Sequence, residues 1–180
     1  TNADIARKFP EWTEEKIFEK VGIRERHVCG ENETALDMAF KACEKLFEKN
    51  EDLKESIDYI LLCTQSADYK LPTSACILQD RLGLSTNIGA LDFNLGCSGY
   101  EYGLSLAKGM VVGGMAKNVL FVTAESYSKY IHPDDKGNIS IFGDAATATI
   151  VGVDGFAEIC DFVFGTDGSG CNDLIVKTGG

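Results

Sequence analysis

The chain has 180 residues, 44% hydrophobic and 25% charged, the balance of one ordinary globular domain rather than a disordered segment. Lys and Arg number 17 against 28 Asp and Glu, a net charge of −11, which excludes the clustered positive charge that non-specific nucleic-acid binding needs. No run approaches the roughly 18 apolar residues of a membrane span, and the seven cysteines include no C-x-x-C pair, which speaks against a zinc ribbon or a thioredoxin-type site and suits a reducing cytosol.

Residues 1–26 read as two short helices. Thr1 and Thr13 can each cap one, Glu14 and Glu15 suit the positive first turn of the second, and Gly22 is a stop. Thr34 to Asn50 is the clearest helix. Thr34 and Asp37 have capping-box spacing, and Leu36, Ala39, Phe40, Cys43, Leu46 and Phe47 recur at helical spacing. The period then changes. Ile57 to Thr64 reads as a buried strand, Pro72 and Thr73 open a helix that Gly83 closes, and Ile88 to Asn94 is a second strand. Cys97 to about Val112 is a helix of apolar and small residues, and Asn118 to Glu125 is a third strand. Ala145 to Val153 and Phe156 to Phe164 read as two further strands joined by Asp154-Gly155, a pair that fits a tight hairpin. This alternation predicts an α/β fold of βαβαβαββ order. Its sheet is mixed but mostly parallel, with helices covering it. Near-continuous apolar strands agree, because both faces of such a sheet are covered.

The most informative segment runs from Asp92 to Tyr100, D-F-N-L-G-C-S-G-Y. A strand ends, the chain turns through Gly96, and a helix begins near Cys97. The positive end of a helix favours a thiolate over a thiol, and its free N–H groups can hold an oxyanion. Small neighbours (Gly96, Ser98, Gly99) admit a substrate. Cys97 is therefore the best candidate nucleophile; the alternative is a helix-start cysteine that only packs. His27 and His132 are the only imidazoles, and both lie in polar, loop-like runs. Gly165 to Gly170 lacks G-x-G-x-x-G order and reads as an irregular turn. Asp134, Asp135 and Asn138 lack the EF-hand pattern, so no metal site is supported.

These motifs together resemble the N-terminal half of a beta-ketoacyl-ACP synthase III, of the thiolase-fold family. Thr1-Asn2-Ala3-Asp4 is similar to that family's early T-N-A-D, and Gly22 to Arg26 matches G-I-R-E-R. Pro72 to Cys76 resembles P-S-x-A-C, and Asp92 to Gly99 resembles the nucleophile segment D-x-x-x-A-C-[AS]-G. Ile141 to Ala146 is similar to F-G-D-[GA]-A, and Asp167-Gly168-Ser169 matches a following D-G-S. The resemblance implies one domain over 1–180, without the family's first strand or its C-terminal half.

It also implies a chemistry. Cys97 would take an acyl group from acyl-CoA or acyl-ACP and condense it with malonyl-ACP, losing carbon dioxide, with no bound cofactor. The family's His and Asn partners of the cysteine belong to the second half, so this stretch alone is expected to be inactive. Acyl carrier protein and a second copy of the chain, as a cytoplasmic homodimer, are the implied partners; nucleic acid and membrane are not. The alternatives are a non-catalytic partner subunit, or a specialised polyketide-type condensing enzyme.

The chain departs from the family at the site that stacks the adenine of coenzyme A. Aligned without gaps from Gly22, the family's Trp position is Lys16, a further Arg position is Lys20, and the Arg before F-G-D is Lys136. Trp12, the single tryptophan, falls four residues early. Lys16, Lys20 and Lys136 are expected to bind donor phosphates, or an ACP surface, rather than a purine; three ordinary exposed lysines are the alternative. Phe142 is expected to line the substrate channel, or else to belong to the core. Leu71 stands where the family carries an aromatic that reaches the partner's acyl tunnel.

Overall fold

The computed structural model describes residues 1–50 and 52–177. Helices α1 (Asn2–Lys8) and α2 (Glu14–Val21) begin at the expected threonines. The Thr1 hydroxyl accepts from the Asp4 N–H, and the Thr13 hydroxyl accepts from the Lys16 N–H. Gly22 ends α2 at φ 70°, a conformation that costs an L side chain energy and glycine nothing. Helix α3 (Ala35–Phe47) opens with the predicted box: the Thr34 hydroxyl accepts from the Asp37 N–H at 3.1 Å, and the Asp37 carboxylate accepts from the Thr34 N–H at 3.0 Å. A single turn, α4 (Asp52–Glu55), precedes the sheet.

Four strands form the sheet, in the order β2-β1-β3-β4. Strands β1 (Tyr59–Cys63), β2 (Gly89–Phe93) and β3 (Val119–Glu125) are parallel. Strand β4 (Ala145–Val151) runs antiparallel to β3. Helices α5 (Ser74–Arg81) and α6 (Gly99–Val112) make the crossovers, and a short α7 (Lys136–Ile141) precedes β4.

Alternate strand residues face opposite layers. Ile60, Leu62, Leu120, Val122 and Ala124 pack with Leu36, Ala39 and Cys43 of α3 and with Ala75 and Leu78 of α5. Leu61, Cys63, Val119, Phe121 and Val151 face the other way, toward Ala107 of α6. Both faces are thus dry, which is why these strands read as continuous apolar runs. Each fully buried large side chain here, Phe121 or Leu62 for example, contributes about 1.5–3 kcal/mol.

The strand expected over Phe156–Phe164 does not form, and Asp154-Gly155 turns no hairpin. The antiparallel character of the sheet comes from β4 alone. The Lys108 ammonium of α6 donates to the carbonyls of Ile159 (2.7 Å) and Cys160 (2.9 Å). Phe164 meets Tyr102 at 5.0 Å and stacks on Phe162 at 5.6 Å. Helix α6, not the β4 edge, holds this segment through Lys108 and Tyr102, while Phe156 and Val163 stay fully exposed. The run before β4, read as loop, instead contains a 3₁₀ turn (Tyr127–Tyr130) and α7. Asp135 starts α7 by accepting from the Asn138 N–H (3.1 Å). Among the described residues, no helix is long and apolar enough to cross a membrane.

Candidate active site

Cys97 lies in the connection from β2 to α6. The helix begins at Gly99, two residues later than the sequence suggests, because the Gly99 N–H is spent on the Gly96 carbonyl (2.8 Å) in a tight turn. Cys97 stands on that turn with an exposed side chain. Strand β1 fixes the turn from below. The Thr64 N–H donates to the Phe93 carbonyl (3.2 Å), and the Cys63 thiol donates to the Leu95 carbonyl (3.2 Å). Gly99 is buried with the Cys63 sulfur directly against it, so any side chain there would collide with that sulfur.

The other cysteines separate by environment. Burial pushes the Cys43 thiol up to about 12, and burial also raises Cys63. Cys29 is raised by burial and by the adjacent Asp144 carboxylate. These three are held as thiols, poor nucleophiles at neutral pH.

Sequence reasoning missed the group that starts α5. The Thr73 hydroxyl makes no capping bond. The Asp92 carboxylate, projecting from β2, accepts from the N–H groups of Ser74 and Ala75 at 2.6 Å each. A carboxylate at a helix N-terminus is favourable whether it comes from the same segment or across the fold. Only the unusual Asp within an apolar strand signalled it.

The segments at 1–4 and 22–26 meet Ser140 to Asp144 in one cluster. The Arg26 guanidinium donates to the Asn2 side-chain oxygen and to the Ser140 carbonyl. The Asn2 amide donates to the Ile23 carbonyl (3.0 Å). At Gly143 a Cβ would lie 2.8 Å from the His27 carbonyl, so glycine lets the two backbones approach. Next to it, Asp144 is buried and accepts from the N–H groups of Cys29 and Ser128 (2.8 Å each) and from the Ser128 hydroxyl (2.5 Å). Burial opposes its charge, but these hydrogen bonds outweigh burial and hold the carboxyl below its ordinary range. Phe142 is half-buried at the end of α7, its ring 4.7 Å from that of Tyr127.

This cluster anchors α7 beside α1 and α2, and so places two of the predicted lysines. The Lys136 ammonium lies 5.1 Å from the Trp12 ring centre, and that of Lys20 lies 5.7 Å from it. Glu11 accepts from Lys136 at 2.8 Å. The fold thus brings Lys20 and Lys136 together, on an indole that the ungapped alignment put four residues out of place. Lys16 is exposed and contributes its backbone N–H to the Thr13 cap. Cys97 and Phe142 lie on separate elements, the β2–α6 turn and the end of α7.

The remaining candidates are loop residues. His27 is exposed beside Glu25 (3.9 Å), and the His132 Nδ1 accepts from the Asp134 N–H (3.2 Å). Gly168–Gly170 is one 3₁₀ turn capped by Asp167. Among the described residues, no group of three or more His, Cys, Asp or Glu is arranged to hold a metal ion.

Three parallel strands, a fourth antiparallel, helices on both faces and a cysteine on the turn after the edge strand define a thiolase-like α/β fold. Residues 91–168 match the model of the 3-oxoacyl-[acyl-carrier-protein (ACP)] synthase III family. A beta-ketoacyl-[acyl-carrier-protein] synthase III of Clostridioides difficile (strain 630) is 38% identical over 173 residues, 96% of this chain and 52% of that relative. A crystal structure of a 3-oxoacyl-(acyl-carrier-protein) synthase III superposes with a TM-score of 0.93 at 53% identity, covering 98% of this chain and 53% of that one. The synthase III of Thermus thermophilus superposes with a TM-score of 0.89 at 36% identity, covering 97% of this chain and 54% of its own. In sequence and fold, the chain is similar to the N-terminal half of a beta-ketoacyl-ACP synthase III. It spans about half the length of the curated relatives it matches.

Proposed function

We propose that the protein is a condensing acyltransferase of the 3-oxoacyl-ACP synthase III type, with Cys97 as its nucleophile. The Cys97 sulfur attacks the carbonyl of an acyl-CoA or acyl-ACP thioester, the donor thiol leaves with a proton, and the acyl group remains on Cys97. Malonyl-ACP then loses carbon dioxide. The carbanion so formed attacks the Cys97 thioester, giving 3-oxoacyl-ACP and freeing the cysteine. Covalent transfer divides one difficult condensation into two easier steps.

The observation that carries this reading is the exposed Cys97 on a strand–turn–helix connection inside the stretch that matches the family model. The same turn supports an oxyanion role: the Tyr100 and Glu101 N–H groups open α6 without helical acceptors. Trp12, Lys20 and Lys136 form the donor-side group, two cations for phosphate and one indole face for the donor's base. The indole restores the stacking surface that Lys16 lacks. Phe142 belongs with the acyl channel in this reading. The protein works as a cytoplasmic homodimer with acyl carrier protein as its partner, and needs no cofactor.

The test incubates the full-length protein with a panel of acyl-CoA and acyl-ACP donors and follows intact mass and the modified peptide. A thioester-sized gain on Cys97, absent in Cys97→Ala, is the expected result. No adduct from any donor in a folded protein transfers the reading to a non-catalytic partner subunit.

A further inference from the structure

The Cys97 turn has a second support, reached through a carboxylate on a different strand. Glu125 ends β3 and is half-buried. One of its oxygens accepts from the Gln65 N–H (2.6 Å) and the other from the Ser66 hydroxyl (2.6 Å). The Ser66 oxygen in turn accepts from the Ser126 N–H (3.2 Å), and the Ser66 N–H donates to the Thr64 hydroxyl (3.0 Å). Three hydrogen bonds therefore lock the loop after β1 onto the end of β3, and a fourth braces the loop internally.

That loop leans on the cysteine turn. The Gln65 carboxamide lies over Gly96, the residue before Cys97; a Cβ on Gly96 would be 3.0 Å from the Gln65 oxygen. The loop is short, so its backbone cannot shift without moving this side chain. Burial pushes the Glu125 carboxyl up, and the hydrogen bonds from Ser66 and Gln65 hold it the other way.

We infer that Glu125 is a positioning residue for Cys97, acting through Gln65 on the Gly96–Cys97 turn. The inference rests on the reading of Cys97 as nucleophile. It makes a distinction that mere fold support would not: Glu125 and Gln65 act in series on one atom. Removing either lets the turn relax, and displacement of a reacting atom by about 1 Å can cost up to about 100-fold in rate.

The test uses Gln65→Ala, Glu125→Gln, Glu125→Ala and the Gln65→Ala/Glu125→Ala pair in the full-length protein. Two rates are read at Cys97 by peptide mass: acylation over a series of acyl-CoA concentrations up to saturation, and alkylation by iodoacetamide. Melting temperature is recorded beside them. Gln65→Ala removes an exposed side chain, so it should fold normally yet slow both reactions by about tenfold without weakening the donor's apparent KM. Glu125→Gln keeps one acceptor and should recover most of the rate lost in Glu125→Ala. The double variant should be no slower than the slower single one, since residues in series are not additive.

Wild-type rates at Cys97 in Gln65→Ala overturn the inference, as do single effects that multiply in the double variant. Should Glu125→Ala fail to fold, Gln65→Ala and Glu125→Gln still decide it. If no donor acylates the wild type, alkylation still measures the turn; the nucleophile reading then fails separately from the positioning role.

Discussion

The Lys136 ammonium sits 5.1 Å from the Trp12 ring centre and is held there by Glu11 at 2.8 Å, while Lys20 approaches the same ring at 5.7 Å. Two cations share one indole, with a single carboxylate engaging one of them. Trp12 and Lys136 come from opposite ends of the sequence, and the Asn2–Arg26–Ser140 cluster is what makes them neighbours.

This arrangement predicts how the donor's far end is recognised. Trp12→Ala and Lys136→Ala should each weaken an acyl-CoA donor about three- to tenfold, in line with about 1 kcal/mol for an exposed cation–π contact or ion pair. A pantetheine thioester without the nucleotide should be unaffected by either change. Glu11→Gln frees Lys136 for phosphate and should tighten acyl-CoA slightly. Apparent KM for the two donor types, at two salt concentrations, checks all three; equal losses on both donors would remove this group from donor binding.

Gly103 allows α6 to sit on the sheet. It is buried, and a Cβ there would run into the Phe121 ring. That ring is only 1% exposed and stacks against Phe93 and Tyr100, so it has nowhere to move. Gly103→Ala should cost about 1–3 kcal/mol, the usual range for overpacking and more than the gain in helix propensity. The urea midpoint should fall, and an unchanged midpoint would mean that α6 can lift off the sheet freely.

Asp144 should make stability fall in acid. Its folded pKa lies below the ordinary aspartate value of about 3.9. A carboxyl of that kind contributes its full stabilisation above the unfolded value, and loses it as pH falls through the folded one. Asp144→Asn leaves the Cys29 and Ser128 donors with one acceptor oxygen where there were two. The variant should be less stable at pH 7 by about 1–3 kcal/mol. The gap to the wild type should begin to narrow as pH falls below about 3.9 and close only below the lower folded value. Chemical denaturation of both proteins at pH 7 and pH 3 measures this; a gap that stays constant would mean the hydrogen bonds do not depend on the charge.

Much of the architecture was written locally. Thr1, Thr13 and Thr34 cap their helices through donors three residues away, and Gly22 stops α2 by its own backbone freedom. Such interactions span one turn, so a short window of sequence contains both partners. The buried strands were legible for a related reason: a run covered on both faces must be apolar throughout. The placement of Cys97 between a strand and a helix was legible because a small-residue turn there is itself a local pattern.

What lay beyond the sequence was every pairing whose partner comes from a distant element. Phe156 to Phe164 has the composition of a strand, but composition does not say whether it will pair along the β4 edge or be tethered to α6, and it is tethered to α6 by Lys108 and Tyr102. Asp92 caps a helix that starts at Ser74, and Glu125 steadies a loop that starts at Thr64. An ungapped alignment put Trp12 out of place, yet α2 and α7 pack so that its ring meets Lys20 and Lys136. Helical and strand periods fix which face a residue takes, whereas the packing of whole elements fixes what that face will meet.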